Sequence, residues 1–327
     1  MQNNEPMLPN AASQSGIQPY GYHDDEIDLK ELFLVLWDGK WLIAGVTSFA
    51  AVVSVVMALM MPNIYTSSAL LAPANSSGGG LSSMMQQYGG LASLAGISLP
   101  GGGEASQAAL GMELMKSRAF LADFVERRAI LPDLMAVESW NAASGAVTYD
   151  PEVYDAETKT WVREVDPPKL AQPSMQEAHE VFTGIISVSE GKDTGYVTVS
   201  IEHKSPVIAQ QWVTWLVEDI NRAVRDQDVA EANRSIEYLK EQVANTSLAE
   251  LQTMFFELIQ SQTETVMLAQ VRPEYVFKTI DPAIVPEEKS EPKRALICVL
   301  GTLLGGMLSV LIVLVRHYAF SSKQEVV

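Results

Sequence analysis

The chain is 327 residues long, carries a formal net charge of −18 and has one cysteine. So acidic a chain repels phosphate backbones, which excludes nucleic-acid binding as its role. A single cysteine excludes an internal disulfide and a cysteine-rich metal cluster, so any folded domain here is held by packing.

Residues 1–22 are polar and interrupted by Pro6, Pro9, Gly16 and Pro19, the composition of a disordered leader. Asp28 then caps a short helix expected to lie along a membrane surface. Residues 41–61 contain no charge and stop at Pro62. Residues 295–315 read ALICVLGTLLGGMLSVLIVLV and are equally uncharged. At about 1.5 Å per residue, about 20 apolar residues cross the hydrocarbon core of a bilayer, so both runs are predicted transmembrane helices. The first run starts too late for a cleaved signal peptide and lacks a small-x-small cleavage site.

The expected organisation is a cytoplasmic segment over 1–40, a first span over 41–61, an exported domain over 62–294, a second span over 295–315 and a cytoplasmic tail over 316–327. The first span sets this orientation, because Lys40 precedes it and no Lys or Arg follows until Lys116. Basic residues otherwise balance. Lys278, Lys289, Lys293 and Arg294 lie on the exported side, against Lys30, Lys40, Arg316 and Lys323 on the other.

Between the spans, residues 65–71 read as a strand. Residues 74–103 are rich in Gly, Ser and Met, a pliable segment holding one short helix over 91–95. None of its glycine runs is followed by Lys-Ser or Lys-Thr, so it is no phosphate-binding loop. Residues 104–130 are helical, with Ala108, Met112, Met115, Ala119 and Phe120 at helical spacing. Residues 132–173, punctuated by Asp150-Pro151 and Asp166-Pro167-Pro168, are loop with short elements. Ser174 and Glu177 form a capping box, and Gly184 is expected to close the helix it opens.

Residues 185–190 and 196–203 make a hairpin in which Val197, Val199 and Ile201 face a core. Ser205-Pro206 then opens a long helix with an apolar stripe at Ile208, Trp212, Trp215 or Leu216, Ile220 and Ala223 or Val224. The stripe fades from Arg225, returns at Ile236, and is interrupted at Asn245-Thr246-Ser247. It continues through Leu248, Leu251, Phe255, Leu258 and Val266. Two outcomes are open: one helix about 95 Å long, or a helical hairpin broken near Asn245. In either case the distal part has too little apolar surface to be buried on all sides and must lean on other copies or stand in solvent. Leu251, Phe255 and Leu258 are the candidate packing and oligomer contacts. A last strand is expected over 274–280, after which Pro282, Pro286 and Pro292 stiffen the approach to the second span. Within that span Gly301 and Gly305 form a GxxxG, and Ala50, Ser54 and Ala58 repeat a small face in the first. The fold class is therefore an α+β membrane protein. Two transmembrane helices flank a domain with a mixed α/β base and a long projecting helix or helical hairpin.

No catalytic, cofactor-binding or metal-ligating set emerges. His23, His179, His203 and His317 are not at metal-ligand spacing, and His179-Glu180 lacks the second histidine of a zincin helix. No Gly-x-Ser-x-Gly elbow occurs. Trp212 and Trp215 are expected to pack on the sheet rather than stack on sugars.

The ends of the chain carry a resemblance. Glu26-Ile27-Asp28-Leu29 leads to Trp37, Lys40 and Trp41. Pro62-Asn63-Ile64-Tyr65-Thr66-Ser67 follows the first span, and a Pro-rich stretch from Pro286 to Pro292 leads through Lys293-Arg294-Ala295 into the second. This resembles the Wzz-type chain-length determinants of lipopolysaccharide O-antigen, the polysaccharide co-polymerases. The resemblance implies a non-enzymatic homo-oligomer of the bacterial inner membrane with both termini cytoplasmic and its main domain periplasmic. It implies three further partners: a separate O-antigen polymerase, undecaprenyl-diphosphate-linked polysaccharide, and membrane lipid. It also implies that no cofactor is needed. The related membrane adaptors of capsule or exopolysaccharide export, which work with a separate tyrosine kinase, are the alternative. A fused kinase is not expected with only residues 316–327 after the second span.

Overall fold

The computed structural model describes residues 29–74 and 104–321. The expected leader, the Asp28 cap, His23 and the Gly-rich segment from residue 75 to 103 with its short helix lie outside the described residues. The chain divides into two compact units, one of residues 1–56 with 295–327 and one of residues 57–294.

The first unit is helical. Helix α1 (Leu29–Asp38) precedes α2 (Lys40–Met60), and α9 (Arg294–Ser321) closes the chain. Two helical stretches, Lys40–Met60 and Arg294–His317, are long and apolar enough to cross a membrane. Only 11% and 17% of their most apolar windows are buried, so neither is the core helix of a soluble domain. Small residues let α2 and α9 meet. Thr47 Oγ1 and Ser309 Oγ lie 3.4 Å apart, and Gly301 and Gly305 pack on Ser54 and Ala50.

The second unit is built on a four-stranded antiparallel sheet. Its strands are β1 (Tyr65–Pro73), β6 (Ile186–Glu190), β7 (Val197–His203) and β8 (Phe277–Asp281), in the order β6-β7-β1-β8. Alternation fixes its faces. Val197, Val199 and Ile201 are fully buried, as are Ser67, Ala69 and Leu71 on the neighbouring strand. The register pairs Ser67 with Ile201 and Ala69 with Val199. His203 continues the same alternation and is carried into the core by it. The last strand begins three residues later than the sequence suggests, and a register shift between Leu70 and Leu71 accommodates it.

Residues 104–130 are helical as expected and divide into two helices, α3 (Glu104–Lys116) and α4 (Arg118–Arg128). Ser117 divides them by taking extended backbone and accepting a hydrogen bond from Phe120 N. A short helix α5 (Leu131–Met135) leads to two small hairpins, β2 (Val137–Trp140) with β3 (Val147–Tyr149) and β4 (Tyr154–Asp155) with β5 (Thr160–Trp161). Helix α6 (Met175–Ile185) has the capping box read from Ser174 and Glu177. Gly184 does not close it, because α6 passes straight into β6 at Ile186 without a left-handed turn. Phe120, Phe124, Phe182, Trp212 and His203 then form a continuous line of ring contacts through the core, at centroid distances of 6.4, 5.6, 5.8 and 5.1 Å. Each buried phenylalanine ring in this line stabilises by about 1.5–3 kcal/mol relative to an exposed one.

Between β7 and β8 the chain makes one long excursion. Helix α7 (Pro206–Asn245) is 40 residues, about 60 Å long at 1.5 Å per residue. Thr246-Ser247-Leu248 breaks it, and α8 (Ala249–Val271) packs back along it. The hairpin outcome is therefore the one the chain takes. Nearly every buried residue of α7 lies between Pro206 and Val224, where the helix covers β1 and β7. Beyond Val224 only Ala232 is buried, and in α8 only Ala269.

Candidate functional site

The features that bear on function are a strut that fixes α7, the outer surface of the α7–α8 hairpin, and the segment that joins the sheet to the second apolar helix.

The strut centres on Asp219, a carboxylate with no exposure at all. Arg128 grips it with two bonds, Nε to Oδ2 at 3.1 Å and Nη2 to Oδ1 at 2.8 Å. Arg127 and Arg222 stand at 3.6 and 3.4 Å from Oδ1. The Arg128 guanidinium also lies over the Trp215 ring at 4.9 Å and reaches Glu218 at 3.1 Å. The bonds to Asp219 hold the Arg128 pKa above its ordinary value, so the guanidinium stays charged throughout the physiological range. Two residues on, buried Asn221 clamps the start of β8. Its Oδ1 accepts from Val276 N and Phe277 N at 2.7 and 2.9 Å, and its Nδ2 donates to Phe277 O at 3.0 Å. Two turns further, Tyr275 donates to Asp228 at 2.8 Å. The base of the long helix is thus fastened to α4 on one side and to the returning strand on the other. None of these roles was read from the sequence; Asp219 and Asn221 interrupting an apolar stripe was the available signal.

The N-terminus of α7 is fixed by His203. Its Nδ1 accepts from Ser205 N at 2.9 Å, which places the proton on Nε2, where it donates to Asp133 O at 3.0 Å. Burial lowers its pKa below the ordinary 6.5. The unfolded chain therefore binds the proton first, so stability is fully present above about pH 6.5 and declines as pH falls toward the folded pKa. His203→Gln keeps one donor and one acceptor and removes the titration. We expect the melting temperature to drop further between about pH 7.5 and about pH 5.5 in wild type than in His203→Gln. Parallel curves would show that this imidazole does not titrate in the window.

The hairpin surface exposes large apolar side chains. Leu251 and Phe255 are half-buried, and Leu258 is exposed. Met254 and Phe256, unmarked at the sequence level, are about half exposed at 47% and 57%. Tyr238, Leu248, Met267 and Val271 are exposed as well.

The proline segment is bound to the sheet rather than free. Ser67 Oγ donates to Ile284 O at 2.7 Å, and Gln210 Nε2 donates to Ala283 O at 3.2 Å. Ile64 pairs with Glu291, Ser290 N donates to Ile64 O at 2.9 Å, and Thr66 N donates to Ser290 Oγ at 3.0 Å. Pro282 is exposed, while Pro286 and Pro292 are half-buried. In the other unit, a side chain added at Gly301 would overlap Ser54, and one at Gly305 would overlap Ala50. His179 sits apart from His203, with Nε2 at 3.2 Å from Lys116 O. Trp212 is buried in the core and Trp215 is taken by Arg128. Among the described residues no group of three or more His, Cys, Asp or Glu is placed to hold a metal ion.

Taken together these features define a folded α/β unit that carries a helical hairpin, in a chain with two helices long and apolar enough to cross a membrane. Residues 25–127 match the family described as chain length determinant protein, Wzz. Residues 250–318 match the family described as "G-rich domain on putative tyrosine kinase". Two solved structures are similar. A full-length bacterial polysaccharide co-polymerase is 14% identical, with 90% of this chain and 99% of that one covered at a TM-score of 0.35. A fragment of WzzB, the polysaccharide co-polymerase of Salmonella Typhimurium, is 10% identical, with 70% and 100% covered at a TM-score of 0.29. No curated protein matches the chain.

Proposed function

We propose that this protein regulates the modal chain length of a lipid-linked surface polysaccharide, the O-antigen of lipopolysaccharide, made by a separate polymerase. It does so as a non-enzymatic homo-oligomer in the bacterial inner membrane, with both termini cytoplasmic and residues 62–294 periplasmic. The Wzz match over the first apolar helix and the start of the domain is the observation that carries this reading. The hairpin supports it physically. Its exposed Met254 and Leu258, one turn apart on α8, offer a surface that a second copy would cover, and contact geometry rather than bond-making chemistry would set the length. Deleting the gene is expected to replace a modal cluster of lipopolysaccharide bands by an unregulated ladder, restored by the gene in trans. An unchanged banding pattern would overturn the O-antigen reading.

A second reading, an adaptor of capsule or exopolysaccharide export acting with a separate tyrosine kinase, has its own observation in the match over residues 250–318. In that case deletion would remove or shorten capsule and leave the lipopolysaccharide ladder intact.

A further inference from the structure

We propose that Asn63, Lys289 and Arg294 form a phosphate site at the membrane boundary, which takes the phosphate of a membrane-embedded lipid. Asn63 lies just past the first apolar run, and Arg294 is the first residue of α9. The three residues belong to the same unit and are held by the backbone ties between Ile64, Ser290 and Glu291. Asn63 Oδ1 accepts from Lys289 Nζ at 3.2 Å and from Arg294 Nη2 at 3.1 Å. Two cations thus converge on one neutral oxygen. Neither takes part in an ion pair among the described residues, although Glu287, Glu288 and Glu291 are in the same segment. Arg294 Nε is shut off from solvent and has no hydrogen-bond partner among the described residues. Converging positive charges repel unless an anion joins them, and a guanidinium with an unused donor beside an ammonium suits a phosphate. The sequence points the same way. With the orientation proposed above, Lys289, Lys293 and Arg294 sit on the side where basic residues are disfavoured for insertion, so they are there for another purpose.

The inference deepens the proposed function by naming the group that a lipid-linked substrate would present, and it rests on that reading for the substrate and for the orientation. A phosphate at this depth comes from one of two sources, bulk anionic phospholipid or the diphosphate of a polyprenyl-linked saccharide carrier. The test uses the full chain in maltoside micelles, which contain no phosphate, doped with phosphatidylglycerol, undecaprenyl diphosphate or neutral diacylglycerol. Lipid retained on the protein is counted by native mass spectrometry. Wild type is expected to retain both phosphate lipids and not diacylglycerol. Lys289→Gln with Arg294→Gln is expected to lose about tenfold or more in retention, as removing two interfacial cations should. Asn63→Asp supplies both cations with a carboxylate of the same shape. It is expected to lose retention equally while melting no lower than wild type, which separates loss of the site from loss of the fold. Lys278→Gln, on β8, should retain lipid as wild type does. In competition at equal mole fraction, displacement of phosphatidylglycerol by the diphosphate would assign the site to the lipid-linked carrier, and the reverse would assign it to bulk headgroups; either supports the phosphate site. Equal retention by wild type and both variants, or equal retention of diacylglycerol, would overturn it. That failure would leave length control standing, since length is read separately from lipopolysaccharide bands.

Discussion

Asp219→Ala is expected to destabilise the domain by about 3 kcal/mol. The carboxylate is wholly buried, and its removal leaves Arg128 without its two-bond partner in a place packed against Trp215. The estimate sits at the low end for broken buried pairs because the three arginines retain 19–44% side-chain exposure and partly rehydrate. For a unit of this size the loss corresponds to roughly 6–12 °C in melting temperature. Because α4 and α7 are joined here, the loss should appear as earlier unfolding of the whole domain and not as fraying of the hairpin. Thermal unfolding of the full chain in detergent measures it. A shift worth less than about 1 kcal/mol would mean that the buried charge is offset elsewhere.

Gly301→Leu with Gly305→Leu is expected to force α2 and α9 apart. Even a single added carbon at either glycine would overlap Ser54 or Ala50, so the two helices approach at a distance that only glycine permits. Thr47→Cys with Gly306→Cys reports the separation, because a side chain at Gly306 meets Thr47 at 3.8–3.9 Å, ordinary contact. In a Cys298→Ser background this pair should oxidise readily in the wild-type frame and about tenfold less in the double-leucine frame. In cells, the modal length distribution should broaden at equal expression. Undiminished crosslinking would show that the glycines are merely tolerated.

How much of this was legible before the fold was known depended on how far each residue's partner lay along the chain. The two apolar runs, the Ser174–Glu177 box, the Ser205-Pro206 start and the period-2 strand at Val197, Val199 and Ile201 are local patterns, and each marks its element. The break at Thr246-Ser247-Leu248 was one of two readings, because a polar interruption is compatible with a bent helix as well as a turn. Asp219 and Asn221 were not assigned, because their partners Arg128 and Phe277 are 91 and 56 residues away, and an acidic or amide side chain ordinarily signifies a wet face. Ser117 was passed over because neither Pro nor Gly accompanies it, although Ser is itself a good cap. The candidate contact surface was half legible. The stripe through Leu251 and Phe255 follows helical spacing, but those side chains turn out half-buried, and the exposed ones include Met254 and Phe256 beside Leu258.

The central claim is that assembly geometry, and not chemistry at a residue of this chain, sets polymer length. It is tested most directly by Phe256→Ser with Leu258→Ser, two substitutions on exposed positions of α8 that should leave the subunit folded. Lipopolysaccharide banding is read from cells expressing this variant or His179→Ala at matched level, together with the particle mass of each protein in native lipid discs. The account predicts a smaller or heterogeneous particle and a lost or shifted modal length for the α8 variant, with wild-type mass and mode for His179→Ala. A monomeric α8 variant that kept the wild-type mode, or a His179→Ala assembly of wild-type mass that lost length control, would contradict it.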